Sequence, residues 1–216
     1  MLRKSCLQAT ALIISLILAR AAAVAQPATL VKDINPGAGL QPNYSSHSDL
    51  VQSGSFAYFT SDAGGSGNEL WRTDGTAAGT RLVADISPAI LFGGNAYPSN
   101  LTDVNGTLFF TTREQSGPAI LWKTDGSTTG TGVVVRLGPN EDLTDLTNVG
   151  GTLFFFKYVS GSVDLWKSDG TSVGTVLVRT GLKTPPYGPS FAVLNGILFF
   201  AADDGTSGVE LSLIHI

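Results

Sequence analysis

The sequence predicts an all-β fold, a β-propeller-like array of four-stranded antiparallel blades, and three observations carry that expectation. The block "ELWRTDGT" (69–76) returns as "ILWKTDGS" (120–127) and "DLWKSDGT" (164–171). Each copy has the same sequel, "AAGTRLVADI" (77–86), "TTGTGVVVRL" (128–137) and "SVGTVLVRTG" (172–181). Each is preceded by an aromatic strand and its turn, "GSFAYFTSD" (54–62), "NGTLFFTT" (105–112) and "GGTLFFFK" (150–157), and a fourth such segment opens at "NGILFFAADDGTSGVEL" (195–211). Trp71, Trp122 and Trp166 lie 51 and 44 residues apart. A period of that size marks an array whose units bury their faces only by stacking.

The elements follow in order. Arg3 and Lys4, the apolar run from Leu7 to Leu18 and the small residues Ala23-Val24-Ala25 read as a secretory signal over residues 1–25, cleaved near Ala25-Gln26. That run is shorter than the ~20 residues of a membrane span. "LVKDINPG" (30–37) matches "LVADISP" (82–88), so residues 29–37 are expected to be the last strand of a closing blade, as in rings sealed across the chain ends. Repeats are expected at about 43–88, 98–139 and 143–181, with a partial copy at 190–211. In the second copy, "NLTDV" (100–104), the turn dipeptide Asn105-Gly106, "TLFFTT" (107–112), "AILWKT" (119–124) and "TGVVVRL" (131–137) supply four short strands. Period-two alternation puts Ile120 and Trp122 on one face and Leu121 and Lys123 on the other. After "GVEL" (208–211) the repeat calls for Trp, and the chain instead reads Ser212-Leu213-Ile214-His215-Ile216. That stretch resembles the translation of a transposon end used in sequencing libraries, so residues 212–216 are expected to be a non-native tail. The array is then an open arc, an incomplete fragment of a larger propeller; a four-bladed ring and a β-solenoid are the alternatives.

On these motifs the chain resembles the ELWxxDGT repeat family of secreted bacterial proteins, over roughly residues 29–211. The resemblance implies a long tandem array, secreted or at the cell surface, without an assigned activity. Departures are local. Ile120 and Asp164 replace the motif's glutamate, and Ser127 replaces its threonine. Such swaps argue against a catalytic role for the glutamate position.

Composition narrows the function classes. Without Arg3, Lys4 and Arg20, ten basic residues face seventeen acidic ones, and no basic cluster suits a phosphate backbone; no nucleic-acid partner is expected. Cys6 leaves with the signal, so the mature chain has no thiol, disulfide or cysteine metal ligand, and no membrane span is expected in it. His47 is the single histidine outside the tail, which removes Cys-His chemistry and histidine-rich metal sites.

Candidate residues are therefore those of the repeat. Asp74-Gly75, Asp125-Gly126 and Asp169-Gly170 form turns in which a carboxylate can cap backbone N–H groups and glycine supplies positive φ; they resemble the structural aspartate-box hairpins of sialidase-like propellers. One carboxylate per turn falls well short of the 6–8 oxygen ligands of calcium. A weak calcium site is weighed at Asp203 and Asp204, and a solvated loop at Gly64–Glu69, where Glu69 stands in place of the aspartate a toxin-type glycine repeat needs. Trp71, Trp122 and Trp166 are read as inter-blade core, with sugar stacking as the alternative. Glu141, Asp142 and Asp145 sit in the least regular connection and are read as solvated charges, since a glycosidase needs two carboxylates at about 5–10 Å across a pocket. No catalytic residue and no cofactor is assigned. The expected function is a binding or adhesion scaffold for an extracellular protein or glycan; the alternative is a polysaccharide hydrolase or lyase with catalytic residues beyond this stretch.

Overall fold

A computed structural model describes residues 28–34, 50–62, 67–86, 96–113, 117–159, 162–183, 191–203 and 208–215. The signal segment, His47, Gly64 to Ser66, Asp204 and residues 185–187 lie outside the described residues. Of the compact unit Met1–Leu30 only residues 28–30 are described, and they carry no regular element. The unit Val31–Ile216 is all-β in its described residues and holds four antiparallel sheets, each running in simple chain order. The first comprises β1 (Val51–Ser53), β2 (Phe56–Ser61), β3 (Glu69–Thr73) and β4 (Arg81–Leu82). The second comprises β5 (Ser99–Val104), β6 (Thr107–Arg113), β7 (Ala119–Thr124) and β8 (Gly132–Arg136). The third comprises β9 (Asp142–Val149), β10 (Thr152–Val159), β11 (Ser162–Ser168) and β12 (Val176–Leu182). The fourth has three strands, β13 (Phe191–Leu194), β14 (Ile197–Asp203) and β15 (Val209–His215).

The hairpins are two-residue turns where the sequence places Asn-Gly. Val104 pairs with Thr107 across Asn105 (φ 52°) and Gly106 (φ 81°), and Leu194 with Ile197 across Asn195 (φ 53°) and Gly196 (φ 75°). Positive φ at both central residues matches the right-handed twist of the strands that the turn joins.

The sheets stack in chain order. Tyr58, Leu70 and Val83 of the first meet Leu108 and Phe110 of the second. Phe109, Leu121 and Val134 of the second meet Leu143, Leu153 and Phe155 of the third. Phe154, Phe156 and Leu165 of the third meet Leu198 and Phe200 of the fourth. Alternation along each strand thus feeds two different cores, because successive residues point to opposite faces of the sheet. The first strands β1, β5, β9 and β13 approach their neighbours in turn, which places them on the inside of the array. Thr102 Oγ1 donates to the Leu146 carbonyl at 3.1 Å and Asn148 Nδ2 to the Asp103 carbonyl at 3.0 Å, lacing β5 to β9. The first and fourth sheets share no apolar cluster among the described residues. The leucine before the tryptophan position shows the consequence: Leu70, Leu121 and Leu165 are 0% exposed, and Leu211 is 74% exposed.

Two expectations about the ends meet the structure differently. The closing-blade strand of residues 29–37 is absent from its described part, residues 29–34. Its template explains the difference, because among the described residues 82–86 of "LVADISP" only Leu82 belongs to a strand; the chain bends at Val83. Lys32, which stands where the template has Ala84, ties the segment down, its Nζ donating to the Thr80 carbonyl at 2.8 Å. Residues 212–215 lie in β15, with Ser212 opposite Phe200 in the register where Trp71 faces Phe59, Trp122 faces Phe110 and Trp166 faces Phe155.

Candidate functional site

The repeated Asp-Gly turns have one construction in all three copies. Asp74 Oδ1 accepts the Thr76 amide at 2.9 Å and the Thr76 hydroxyl at 2.7 Å. Asp125 does the same with Ser127 at 2.8 and 2.7 Å, and Asp169 with Thr171 at 2.8 and 2.7 Å. That hydroxyl in turn accepts the amide of Gly79, Gly130 or Gly174, each at 2.9 Å. A Cβ on any of these three glycines would run into the aspartate carboxylate, which is why the later Gly-Thr of the motif begins with glycine.

A second chain of hydroxyls closes the turn from beneath. In the second copy Gly126 N donates to Thr124 Oγ1 at 2.9 Å, Thr124 shares a proton with Thr131 Oγ1 at 2.7 Å, and Thr131 donates to the Ser127 carbonyl at 2.6 Å. Since Thr131 spends its proton on the carbonyl, Thr124 must be the donor of the pair. Thr73 with Thr80 and Ser168 with Thr175 repeat the arrangement at 2.7 and 2.8 Å. These hydroxyl and amide donors hold the three aspartates below the usual carboxylate range, with the Thr76, Ser127 or Thr171 hydroxyl as the leading cause.

The turns also dock onto the preceding sheet. Gly126 (φ 89°) leaves no room for a side chain, because a Cβ there would meet Tyr58 Oη at 2.6 Å and Arg72 Nη1 at 2.9 Å. Arg72 lies over the Phe56 ring at 3.8 Å, a cation–π contact. Burial pushes the Tyr58 phenol up to about 12 against the opposing pull of Arg72. Gly170 (φ 87°) is crowded in the same way by Phe109, at 3.0 Å from a would-be Cβ, and by Lys123. This Tyr58–Arg72 seat was not singled out in the sequence, although a cation follows every tryptophan there, as Arg72, Lys123 and Lys167. Between the second and third sheets a cleft of about 220 Å³ opens beside Asn105, Phe109, Lys123 and Asp169.

The glutamate position has a mechanical role. Glu69 is fully buried and its Oε2 accepts the Ile86 amide at 3.1 Å. Asp164 accepts the Thr180 hydroxyl at 2.8 Å and the Gly181 amide at 2.9 Å. Both therefore fasten the end of their unit's fourth segment to the third strand. Ile120 has no carboxylate, and there the Leu137 amide bonds to the neighbouring Ala119 carbonyl at 3.0 Å.

The charges of the irregular connection are engaged. Glu141 Oε1 meets Lys157 Nζ at 2.9 Å and its Oε2 accepts the Gly138 amide at 2.7 Å. Burial works to raise this carboxyl, and the Gly138 amide and the Lys157 ammonium outweigh it, leaving Glu141 below the usual range. Asp142 pairs with Arg113 across the second and third sheets, and Asp145 accepts the Thr144 hydroxyl at 2.7 Å. Lys157 in turn stands 5.1 Å over the Trp166 ring. Among the described residues no group of three or more His, Cys, Asp or Glu could hold a metal. Asp203 is paired to Lys183 through the backbone, with Asp203 N donating to the Lys183 carbonyl at 2.8 Å.

Trp71 is buried and stacked on Phe59, with ring centroids 6.5 Å apart. Trp122 stacks on Phe110 at 6.1 Å and 11°, and its Nε1 donates to Thr112 Oγ1 at 2.8 Å. Trp122 packs against the core between sheets one and two, and Trp166 against the core between sheets two and three.

No protein-family model matches the chain, and no curated protein matches it in sequence. Among solved structures it is similar to a puromycin hydrolase, at 16% identity and a TM-score of 0.49 over 74% of this chain and 25% of that one. It is also similar to an alpha-L-arabinofuranosidase from Clostridium thermocellum, at 13% identity and a TM-score of 0.41 over 76% and 66%. An exo-beta-1,3-galactanase from Phanerochaete chrysosporium follows at 10% identity and a TM-score of 0.39 over 76% and 44%. The chain thus spans from a quarter to about two thirds of the length of these proteins. At such identities the likeness says nothing of activity.

Proposed function

We propose that this chain is a repeat scaffold of the ELWxxDGT type, acting outside the cell by binding a protein or glycan rather than by catalysis. The observation that carries the reading is the identical use of the repeated polar residues. Asp74, Asp125 and Asp169 each accept the amide and hydroxyl of their own turn on Oδ1. A motif used in that way builds a platform, and partner choice then falls to residues that differ from unit to unit. The extracellular address rests on the signal-like residues 1–25. Screening the full chain on immobilised acidic and neutral glycans, with product analysis of each glycan in solution, tests the reading. Retention of a glycan with no shortened product is the expected result. Cleavage that survives repurification and is lost on Glu141→Gln or Asp142→Asn would overturn it in favour of a hydrolase.

A further inference from the structure

We infer that the cleft between the second and third sheets binds one acidic sugar residue, a hexuronate, whose carboxylate meets Lys123. The inference deepens the scaffold reading above and rests on it for the source of the sugar, an extracellular glycan. The neighbouring junction supplies the comparison. Register fixes the equivalence, because Phe59 faces Trp71 as Phe110 faces Trp122. Phe56, Tyr58 and Arg72 therefore correspond to Thr107, Phe109 and Lys123, and Gly126 corresponds to Gly170. At the first junction all three side chains close on the glycine. A Cβ at Gly126 would meet Tyr58 Oη at 2.6 Å, Arg72 Nη1 at 2.9 Å and the Phe56 ring at 3.0 Å. At the second, the groups nearest Gly170 are the Phe109 ring and the Lys123 stem. Thr107 carries no ring where Phe56 does, and a cleft of about 220 Å³ lies beside it.

The polar groups around that space are unengaged. Among the described residues Lys123 Nζ has no hydrogen bond or ion pair, and the Asn105 amide and Thr107 hydroxyl have no hydrogen-bond partner. Asp169 Oδ1 accepts both donors of its turn, which leaves Oδ2 to accept another. Lys123 is half-buried, and its charge adds to the turn donors, the Thr171 hydroxyl foremost, that hold the Asp169 carboxyl low. These groups select the ligand. An ammonium without a partner calls for an anion, and charge-assisted contacts are the strong ones. Lysine presents a point charge rather than the fork of arginine, which suits a single carboxylate oxygen. An amide and a hydroxyl, each both donor and acceptor, match ring hydroxyls, and Asp169 Oδ2 accepts from a further one. Phe109 supplies an apolar wall for the C–H face of the ring. The volume falls below the about 300–1,000 Å³ of drug-sized sites, so it holds one ring and not a chain. A free amino acid would engage the two charges and leave the amide and hydroxyl idle.

The test uses the isotope-labelled full chain, titrated separately with D-glucuronate, D-galacturonate and D-mannuronate and followed by amide chemical shifts. At least one acid is expected to give saturable, millimolar-range shifts centred on Asn105, Gly106, Asp169 and Gly170. D-glucose, acetate and glycine are the controls, expected to give none at the same concentrations. Lys123→Gln is expected to weaken the binding about tenfold or more, and Thr107→Phe, which copies the first junction, to abolish it. No saturable response to any of the three acids, shifts confined elsewhere, or an equal response to a control would each overturn the inference. So would unchanged affinity in a folded variant of either kind. The titration of the unmodified chain decides the matter even where a variant fails to fold. None of these failures touches the scaffold reading, which glycan retention and product analysis decide separately.

Discussion

At the scale of single residues, the Asp-Gly turn is a closed circuit of donors and acceptors. Each aspartate receives an amide and a hydroxyl, and each hydroxyl passes its remaining capacity to a glycine amide. The charged form of the carboxylate is the one these donors favour, so the folded chain binds its proton less readily than the unfolded chain does. The sign follows. Stabilisation from Asp74, Asp125 and Asp169 is complete above the ordinary carboxylate pKa of about 4 and is lost as pH falls through their depressed folded values. Thermal melts from neutral pH into acid should show Tm falling in that lower window. Replacing all three by asparagine should flatten the fall, and an equally steep profile in that variant would remove the turns from the account of acid sensitivity.

At the scale of strands and sheets, the tryptophans of the second and third units join their own hairpins to the sheet before them. Trp122 stacks on Phe110 within its sheet, packs against the core shared with the first sheet, and anchors Nε1 on Thr112. Trp122 is partly buried, so Trp122→Ala should cost about 3 kcal/mol, the lower end for core aromatic truncations, read from denaturant melts. Trp122→Phe should cost less, because it keeps a ring on Phe110 and loses mainly the bond to Thr112. Most of this level was legible in the sequence: the strand pairs, the Asn-Gly hairpins and the separation of Trp122 from Leu121 all follow from a period of two. The seat of Gly126 on Tyr58 and Arg72 was not, since it joins residues more than fifty positions apart that no local pattern links. The described part of the expected closing strand, residues 29–34, is not a strand for a related reason. A repeated string carries its conformation only together with the partner strand beside it.

At the scale of the molecule, stability is a sum over neighbouring sheets. The second and third sheets are covered on both faces, whereas the fourth has one face against the third and Leu194, Leu211 and Leu213 exposed. Arrays of this kind open from their least covered unit, because each unit is stabilised chiefly by nearest-neighbour contacts. Amide exchange should therefore be fastest in β13–β15 and slowest in β6, β7, β10 and β11. Uniform protection across all four sheets would count against an additive stack and for one cooperative body. The repeat predicted the stacking of the sheets in chain order.

The two faces of every sheet are unlike, one bearing the tryptophan position and the other the leucine before it. Each junction joins the leucine face of one unit to the tryptophan face of the next, so the array has a direction, as a filament has a fast and a slow end. Substitutions on one terminal face should then act on assembly at that end alone. A unit inserted anywhere in the series would find complementary surfaces on both sides, which makes duplication of a unit the least disruptive way for such a chain to lengthen.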